Sequence, residues 1–457
     1  MSKQGKRDFR PNIHFTPEKN WNNDPNGLIY IDGIWHLYYQ HNPNDVVWGP
    51  MHWGHAVSKD LIHWEHQPIA LYPDELGFIF SGSAVYDTQN SSEYGTNENP
   101  PIIAIYTSHH KDGLEQQSIA YSNDKGRHFE KSYLNPVIKN PGISDFRDPK
   151  AFWNPVRRCW SLVLAAQDRV FFYASQDMKN WEKTGEFGPE GNHVKGVWEC
   201  PDLFEIDGQQ IMTCCPQGVD QKGYDYQNVY QCGYFPVEFD LKNKSYSFGK
   251  FQEFDKGFDI YATQTFADEA GRRILIGWMG IPDADYDNDA TVAYDWIHAL
   301  TMPRELEWKD GKILQHPLKE MKDLRKNAFT CELEAFTKWA PADCCFELRL
   351  DVEEAKNLEL KLREDVTISW KDGLFTLSMG ESGRGRKQRF AKVEELSDIT
   401  IFSDTSAIEI FINNGETVLT TRVYSEHLEQ KVELVSREVK GSVHGYELGS
   451  FEVEYKK

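Results

Sequence analysis

The chain has 457 residues, of which 40% are hydrophobic and 26% charged, and a formal net charge of −21. That length exceeds the roughly 250–300 residues at which single cores stop growing, so two domains are expected and a disordered chain is excluded. A surface this acidic repels phosphate backbones and anionic lipid, which argues against nucleic-acid and membrane partners, and no stretch approaches the roughly 18 apolar residues of a membrane helix.

The first twelve residues, MSKQGKRDFRPN, are polar and hold no apolar run, so no signal peptide is expected. Eight cysteines, at 159, 200, 214, 215, 232, 331, 344 and 345, form no C-x-x-C pair and are too few for a disulfide scaffold. Together these features predict reduced thiols and a cytoplasmic location. Homo-oligomerisation is left open. Aromatic residues reach 13%, with 14 Trp. Most must pack β-cores; a minority can stack on the C–H faces of sugars.

Short strands punctuated by Asp-Gly run along the whole chain, as in Tyr30-Ile-Asp-Gly-Ile-Trp35, Glu205-Ile-Asp-Gly-Gln209, Trp308-Lys-Asp-Gly-Lys312 and Trp370-Lys-Asp-Gly-Leu374. Asp-Gly supplies the positive φ angles of tight hairpins, so the fold is all-β. A polar cluster followed by an apolar strand recurs five times: Asn23-Asp-Pro-Asn-Gly-Leu-Ile-Tyr30, Phe80-Ser-Gly-Ser-Ala-Val85, Arg147-Asp-Pro-Lys-Ala-Phe-Trp153, Glu199-Cys-Pro-Asp-Leu-Phe204 and Ala262-Thr-Gln-Thr-Phe266. A second signature closes three of these intervals: Ser58-Lys-Asp…Trp64-Glu65, Ser122-Asn-Asp…Phe129-Glu130 and Ser175-Gln-Asp…Trp181-Glu182. Each interval holds about four short strands, one propeller blade. Residues 1–316 are therefore expected to form a five-bladed β-propeller. Its first strands would bring Asp24, Asp148 and Glu199 to one end of one channel.

The acidic stretch Asp283-Ala-Asp-Tyr-Asp-Asn-Asp289 lacks the Gly and Glu that an EF-hand loop requires at its sixth and twelfth positions, so no metal site is expected and the stretch reads as a solvated rim loop. Pro317–Arg325 has helical apolar spacing and predicts a linker helix over 317–327. Alternating strands over 328–457 predict a C-terminal β-sandwich, whose basic loop Arg384-Gly-Arg-Lys-Gln-Arg389 reads as a solvated hairpin tip.

Trp21-Asn-Asn-Asp-Pro-Asn-Gly27, Phe80-Ser-Gly-Ser83, Phe146-Arg-Asp-Pro149 and Trp198-Glu-Cys-Pro-Asp202 resemble the signature set of glycoside hydrolase family 32, and they occur in the family's order. Tyr39-Gln-His-Asn-Pro43, Trp53-Gly-His-Ala56, Ile276-Gly-Trp-Met-Gly280 and Leu300-Thr-Met-Pro-Arg-Glu-Leu306 extend the resemblance over nearly the whole chain. Departures are Asn22, where the family usually carries Met or Leu, and Thr263, where Pro is common. The resemblance implies a propeller followed by a sandwich and a retaining β-fructofuranosidase without a cofactor, acting on sucrose and short fructo-oligosaccharides. The text after Trp278 looks closer to sucrose and sucrose-6-phosphate hydrolases than to levanases. The alternatives are an exo-fructanase acting on inulin or levan, an inverting propeller glycosidase, and a sugar-binding propeller without activity.

By the same resemblance Asp24 is the nucleophile, Glu199 the general acid/base and Asp148 the transition-state stabiliser. Asn23, Gln40, Trp48, Phe80, Ser81, Arg147 and Trp278 shape the fructose pocket. A retaining glycosidase places its two acting carboxyl groups about 5–5.5 Å apart, one attacking and one protonating. The acid must hold a proton, which the nearby anions Asp24 and Asp148 favour for Glu199. Arg147 is expected to keep Asp148 ionised. Cys200, beside the acid/base, reads either as a tuning group or as a small buried apolar residue.

Overall fold

The four Asp-Gly pairs close hairpins as expected: Asp32, Asp207, Asp310 and Asp372 and the glycine after each all have positive φ, the type I′ geometry whose twist matches that of the flanking strands. The computed structural model describes residues 8–188, 194–240, 245–427, 430–436 and 438–450. Strands dominate these residues, and the only helical pieces among them are three short 3₁₀ turns. None is long and apolar enough to cross a membrane.

The described residues form five sheets of four or five strands, followed by two six-stranded sheets. The inner strands of the five are Asn20–Ile31, Phe78–Tyr86, Phe146–Asn154, Trp198–Ile206 and Tyr261–Ala267. These strands neighbour one another in a closed circuit, first to second and onward, with the fifth beside the first. From each, the chain meanders outward in antiparallel strands, which makes a β-propeller. The short strand Trp296–Ile297 returns to pair in parallel with Asn20 and Trp21 of the first sheet. Apolar side chains glue neighbouring sheets: Ile29, Tyr38 and Trp53 against Ile79 and Tyr106, Ile105 and Ile119 against Phe146 and Leu162, Val163 and Phe187 against Trp198 and Phe235.

Both sequence repeats have a structural cause. In the closing signature the Asp side chain accepts a hydrogen bond from the Ser two residues before it, and then from the backbone amides that follow. Asp60 does so with Ser58, Asp124 with Ser122 and Asp177 with Ser175. The opening signature marks a bulge. In each inner strand the ladder breaks at the motif: between Asn22 and Pro25, Ile79 and Gly82, Glu199 and Asp202, Tyr261 and Gln264, and opposite Val163–Ala165 in the third sheet. Asp148, Cys200 and Ala262 sit at these bulges with φ of 63°, 48° and 49°. Such left-handed non-glycine residues cost on the order of 1–3 kcal/mol each and survive where the surroundings over-determine them. Pro149 and Pro201 are tolerated in inner strands because the bulge already frees their positions from the ladder.

The two six-stranded sheets face each other across Leu348, Leu350, Ile401 and Ile410 on one side and Leu360, Ile368, Phe375 and Leu377 on the other. This is the expected sandwich, but the expected linker helix is shorter. Only Lys319–Leu324 is helical, as a 3₁₀ turn that buries Met321 and Leu324. Arg325–Glu332 is already a sandwich strand, paired with Val439–Leu448. Pro317 still belongs to the preceding strand, where it pairs with Arg304, and the ladder of Val439–Leu448 claims the residues after 324.

A second correction concerns the basic loop. Arg386 is not solvated but fully buried, forming a paired bond with Asp259 at 2.7 Å through each of two nitrogens. It also reaches Asp287 O and Asn288 Oδ1, while Arg384 pairs with Asp287 at 2.6 Å. The acidic stretch is therefore not a free rim loop either: past Asp285 it is clamped by the sandwich's basic loop. Opposite charges placed far apart in the sequence neutralise each other here.

A buried ionic centre joins propeller and sandwich. Arg304 donates to Glu409 at 2.7 and 3.0 Å, to Asp255 at 3.2 Å, to Gln315 at 2.9 Å and to Thr420 at 2.6 Å. His14 bridges Asp404 and Glu409. Burial opposes the Asp404 charge, yet His14 and the amides of Asn12 and Ile13 hold its carboxyl down at about 2. Removing one partner of such a centre strands the others without compensation. Arg304→Met is predicted to destabilise the protein by about 3–5 kcal/mol in urea denaturation. Lys312→Met, which breaks the exposed Lys312–Glu416 pair, should cost under about 1 kcal/mol.

Candidate active site

Asp24, Asp148 and Glu199 do converge. Together with Asn23, Gln40, Trp48, Phe80, Ser81, Arg147 and Trp278 they line one cavity of about 360 Å³ at an end of the propeller channel, completed by Trp21, Cys200, Tyr261, Pro282 and Asp283. That volume lies in the ordinary range for small-molecule sites. A larger cavity, about 570 Å³, lies between the third and fourth sheets; the buried charges Lys150 and Asp202 that line it pair with each other at 3.1 Å.

The bulges aim the floor. Asp24 accepts from Asn23 Nδ2 at 2.9 Å and from Ser81 Oγ at 2.6 Å. Asn23 is itself held by the indole N–H of Trp21 at 2.7 Å. Gly82 makes the Ser81 approach available, since a Cβ there would fall 2.1 Å from Ile105 O. Asp148 is 5% exposed, and its Oδ2 accepts from Cys200 N at 2.9 Å. Cys200 Sγ lies 3.7 Å from Asp24 Oδ2 and 3.6 Å from Asp148 Oδ2. The buried thiol thus touches both aspartates while it also belongs to an apolar cluster. A hydrogen bond with Cys215 would lower it, but burial and the three carboxylates raise it well above the thiol range, so it acts as an S–H donor.

Glu199 takes a different set of donors. Arg147 reaches Oε1 at 3.0 and 3.1 Å; Gln217 Nε2 and Tyr261 OH reach Oε2 at 2.9 and 2.6 Å. Arg147 favours the Asp148 anion, as expected, but through space and without bonding to it, and burial outweighs the effect. The guanidinium points to Glu199, Glu115 and Asp145, all within 3.2 Å, and not to its neighbour in the chain. Three other carboxylates hold the guanidinium, while Asp148 is taken by the Cys200 amide. Asp148 is raised to about 7, by burial first and then by Glu199 and Asp24, with Arg147 opposing. Burial also raises Asp24, against the hydrogen bonds of Ser81 and Asn23.

The aromatic wall is layered. Phe80 stacks on His109 with ring centroids 4.1 Å apart and meets Trp48 edge-on at 6.0 Å. Trp48 is 53% exposed and so forms the rim. Gln40 spends its amide nitrogen on Asn26 and Ile79 O, which leaves its oxygen for a ligand. Asn22 does not line the cavity. With its amide turned to donate, it reaches the carbonyls of Ile297 and His298 at 3.0 and 3.2 Å, so it ties the first strand to the returning strand. Tyr261, Gln217 and Glu115 were not singled out from the sequence. Tyr261 had a signal, because it immediately precedes the fifth repeat, the position that supplies Glu199 in the fourth. Gln217 and Glu115 carry no motif.

The pocket thus brings together, behind an aromatic wall, carboxylates that are fixed by different donors. The chain belongs to glycosyl hydrolase family 32: residues 14–317 match the model of its N-terminal domain and residues 318–453 that of its C-terminal domain. It is 38% identical to a levanase of Bacillus subtilis over 93% of this chain and 68% of that protein. It is 36% identical to a sucrose-6-phosphate hydrolase of Klebsiella pneumoniae, covering 91% and 88%. Among solved structures it is similar to a family 32 β-fructofuranosidase of Bombyx mori, with a TM-score of 0.86 and 32% identity over 98% and 95% of the two chains. An exo-inulinase of Aspergillus awamori superposes with a TM-score of 0.85 and 27% identity over 99% and 100%.

The raised Asp148 carries a prediction about stability. Unfolded, its carboxyl ionises near pH 4; folded, it ionises near 7. Between these values folding must take up a proton, so the group's cost is absent below about pH 4, grows with pH and is complete above about 7. Asp148→Asn is predicted to abolish activity yet raise stability by about 1–3 kcal/mol at pH 8, with no gain at pH 4. Denaturant titrations at the two pH values measure it.

Proposed function

We propose that this chain is a retaining β-fructofuranosidase that cleaves terminal, non-reducing β-fructosides such as sucrose and short fructo-oligosaccharides. The observation that carries this reading is that Asp24 and Glu199 line one pocket floor with opposite surroundings. Among the described residues Asp24 is held by the neutral donors Asn23 and Ser81 and forms no ion pair. Glu199 is held by Arg147 and by a hydroxyl that can change direction.

In the first step Asp24 attacks the anomeric carbon as the bond to the leaving oxygen breaks, and Glu199 gives that oxygen its proton. In the second, water attacks the fructosyl–Asp24 ester, Glu199 takes the water's proton and the ester bond breaks. Glu199 must therefore be stable in two protonation states. Tyr261 permits this. Its single hydroxyl proton has two acceptors, Glu199 Oε2 at 2.6 Å and Cys215 O at 3.1 Å. When Glu199 is ionised, Tyr261 donates to it; when Glu199 is protonated, Tyr261 donates to Cys215 O and accepts from the acid. Asp148, between Cys200 and the pocket, is placed to accept from sugar hydroxyls and to face the positive charge that develops on the ring.

The burial gradient supports action at chain ends: Asp148 and Cys200 are buried at the floor, Trp48 and Asp283 exposed at the rim. The eight cysteines are free thiols, which supports a cytoplasmic location. The levanase likeness favours a second reading, an exo-fructanase acting on longer chains. Relative kcat/KM on sucrose, kestose and inulin separates the two. Either reading expects monomeric fructose as the first product from inulin, and early oligomers would exclude both.

The catalytic roles are separable. Asp24→Ala is predicted to lose several powers of ten on every β-fructoside, about the scale of losing covalent catalysis. Glu199→Ala should lose roughly 10²–10⁴ on sucrose but little on a fructoside whose leaving group needs no proton. Azide should then rescue Glu199→Ala, giving β-fructosyl azide. Equal deficits on good and poor leaving groups would mean the roles are exchanged or wrong.

A further inference from the structure

The larger cavity between the third and fourth sheets shares no lining residue with the catalytic pocket. It lies farther along the same inner strands: Lys150 follows Asp148 on one, and Asp202 follows Glu199 on the next. Its volume of about 570 Å³ is that of a ligand site, and its walls are aromatic. Phe152, Trp153 and Phe172 come from the third sheet, Phe239 and Tyr246 from the fourth. Phe172 and Phe239 meet edge-on across the gap with centroids 5.3 Å apart. Trp153 and Tyr246 are exposed at the mouth.

Two cations and one carboxylate line its inner part. Lys150 is fully engaged, by Asp202 and Gln264 Oε1 at 3.1 Å and by Thr265 O at 2.6 Å. Asp202 is engaged further by the amide and hydroxyl of Thr265. Arg273, from the fifth sheet, is left over. Among the described residues it forms no ion pair. Its Nε is buried without a partner, and its bond from Nη1 to Thr265 Oγ1 is long, at 3.4 Å. Phe204 covers the guanidinium at 4.8 Å. Burial works against its charge, and Asp202 only partly opposes that. The other charged residues of the lining, Arg157, Glu186 and Glu205, are exposed, and Glu186 is held by Arg169 and Lys183.

A cation taken from water without a counter-ion costs stability, and an anion entering the cavity would supply the missing partner. The body that carries the anion must suit the walls. Asn154, Thr184 and Gln210 already bond backbone groups through their side-chain oxygens, so few polar atoms remain for the hydroxyls of a sugar. A planar ring with one carboxylate fits better: the ring packs against the aromatic side chains and the carboxylate meets Arg273.

We propose that this cavity is a second ligand site, for an aromatic carboxylate, with Arg273 as the group that receives the anion. The site is independent of the β-fructofuranosidase reading, because none of its residues takes part in that chemistry.

The test is calorimetric titration with 2-naphthoate and with 2-naphthylmethanol, which has the same rings without the charge. The proteins are the intact chain, Arg273→Met and Tyr246→Ser. The intact chain is expected to bind one equivalent of 2-naphthoate, roughly 10–100-fold more tightly than the alcohol. Arg273→Met should erase that difference by weakening 2-naphthoate alone. Tyr246 is at the mouth, so Tyr246→Ser should melt as the intact chain does and weaken both probes roughly 3–10-fold. If Arg273→Met does not fold, as its melting curve will report, the other two proteins decide. No saturable binding of 2-naphthoate, equal affinity for the two probes in the intact chain, or affinities that the folded variants leave unchanged would overturn the proposal. Displacement of 2-naphthoate by saturating fructose would overturn it too, by placing the probe in the catalytic pocket.

Discussion

The mutual repulsion of three carboxylates at the bottom of one pocket is the constraint around which the structure is arranged. Each anion is satisfied differently: Asp24 by a serine and an asparagine, Asp148 by a backbone amide and a thiol, Glu199 by a guanidinium, an amide and a phenol. A single cation, Arg147, serves Glu199, Glu115 and Asp145, so the charge excess is compensated only in part. Asp148 is raised first by its burial, and the uncompensated Glu199 and Asp24 charges add to that. Left-handed backbone at Asp148 and Cys200 adds strain to it. A site of this kind is destabilising wherever it stands, and the inter-sheet cores and the buried interface with the sandwich are what hold it.

That interface mixes two kinds of contact. Met321 and Leu324 share an apolar cluster with Phe402, Phe411 and Val418. Beside it lie Arg304 with Glu409 and Asp255, and Arg386 with Asp259, all fully buried. Apolar contact alone would hold the domains at a range of angles. Paired charges with directional bonds admit one docking, which is what a loop at the pocket rim requires if it is to be held from the other domain.

Much of this was legible in the sequence because it is periodic or local. The five opening motifs marked the inner strands, and the Asp-Gly pairs marked hairpins through a backbone property that belongs to the residues themselves. Asp-Pro and Cys-Pro also carry a bulge signal that was not read from the sequence, since proline is excluded from a central ladder except at a bulge. What could not be read depends on direction in space. Arg147 adjoins Asp148 in the chain, yet it bonds Glu199, which lies 52 residues on. The acidic stretch 283–289 and the basic loop 384–389 each look solvated alone; only the docking of the two domains makes them partners. The helical spacing of 317–325 is real, but pairing with Val439–Leu448, more than a hundred residues later in the chain, takes over from Arg325.

The central claim is that Asp24 forms a covalent bond to the sugar and that water or another acceptor then attacks from the face the leaving group vacated. The most direct measurement is hydrolysis of sucrose in the presence of methanol, with NMR identification of the methyl fructoside before any interconversion, since the glycoside, unlike free fructose, does not change its anomeric form. Two displacements at one carbon predict methyl β-fructofuranoside alone. Formation of the α anomer would mean a single displacement, and would contradict the assignment of Asp24.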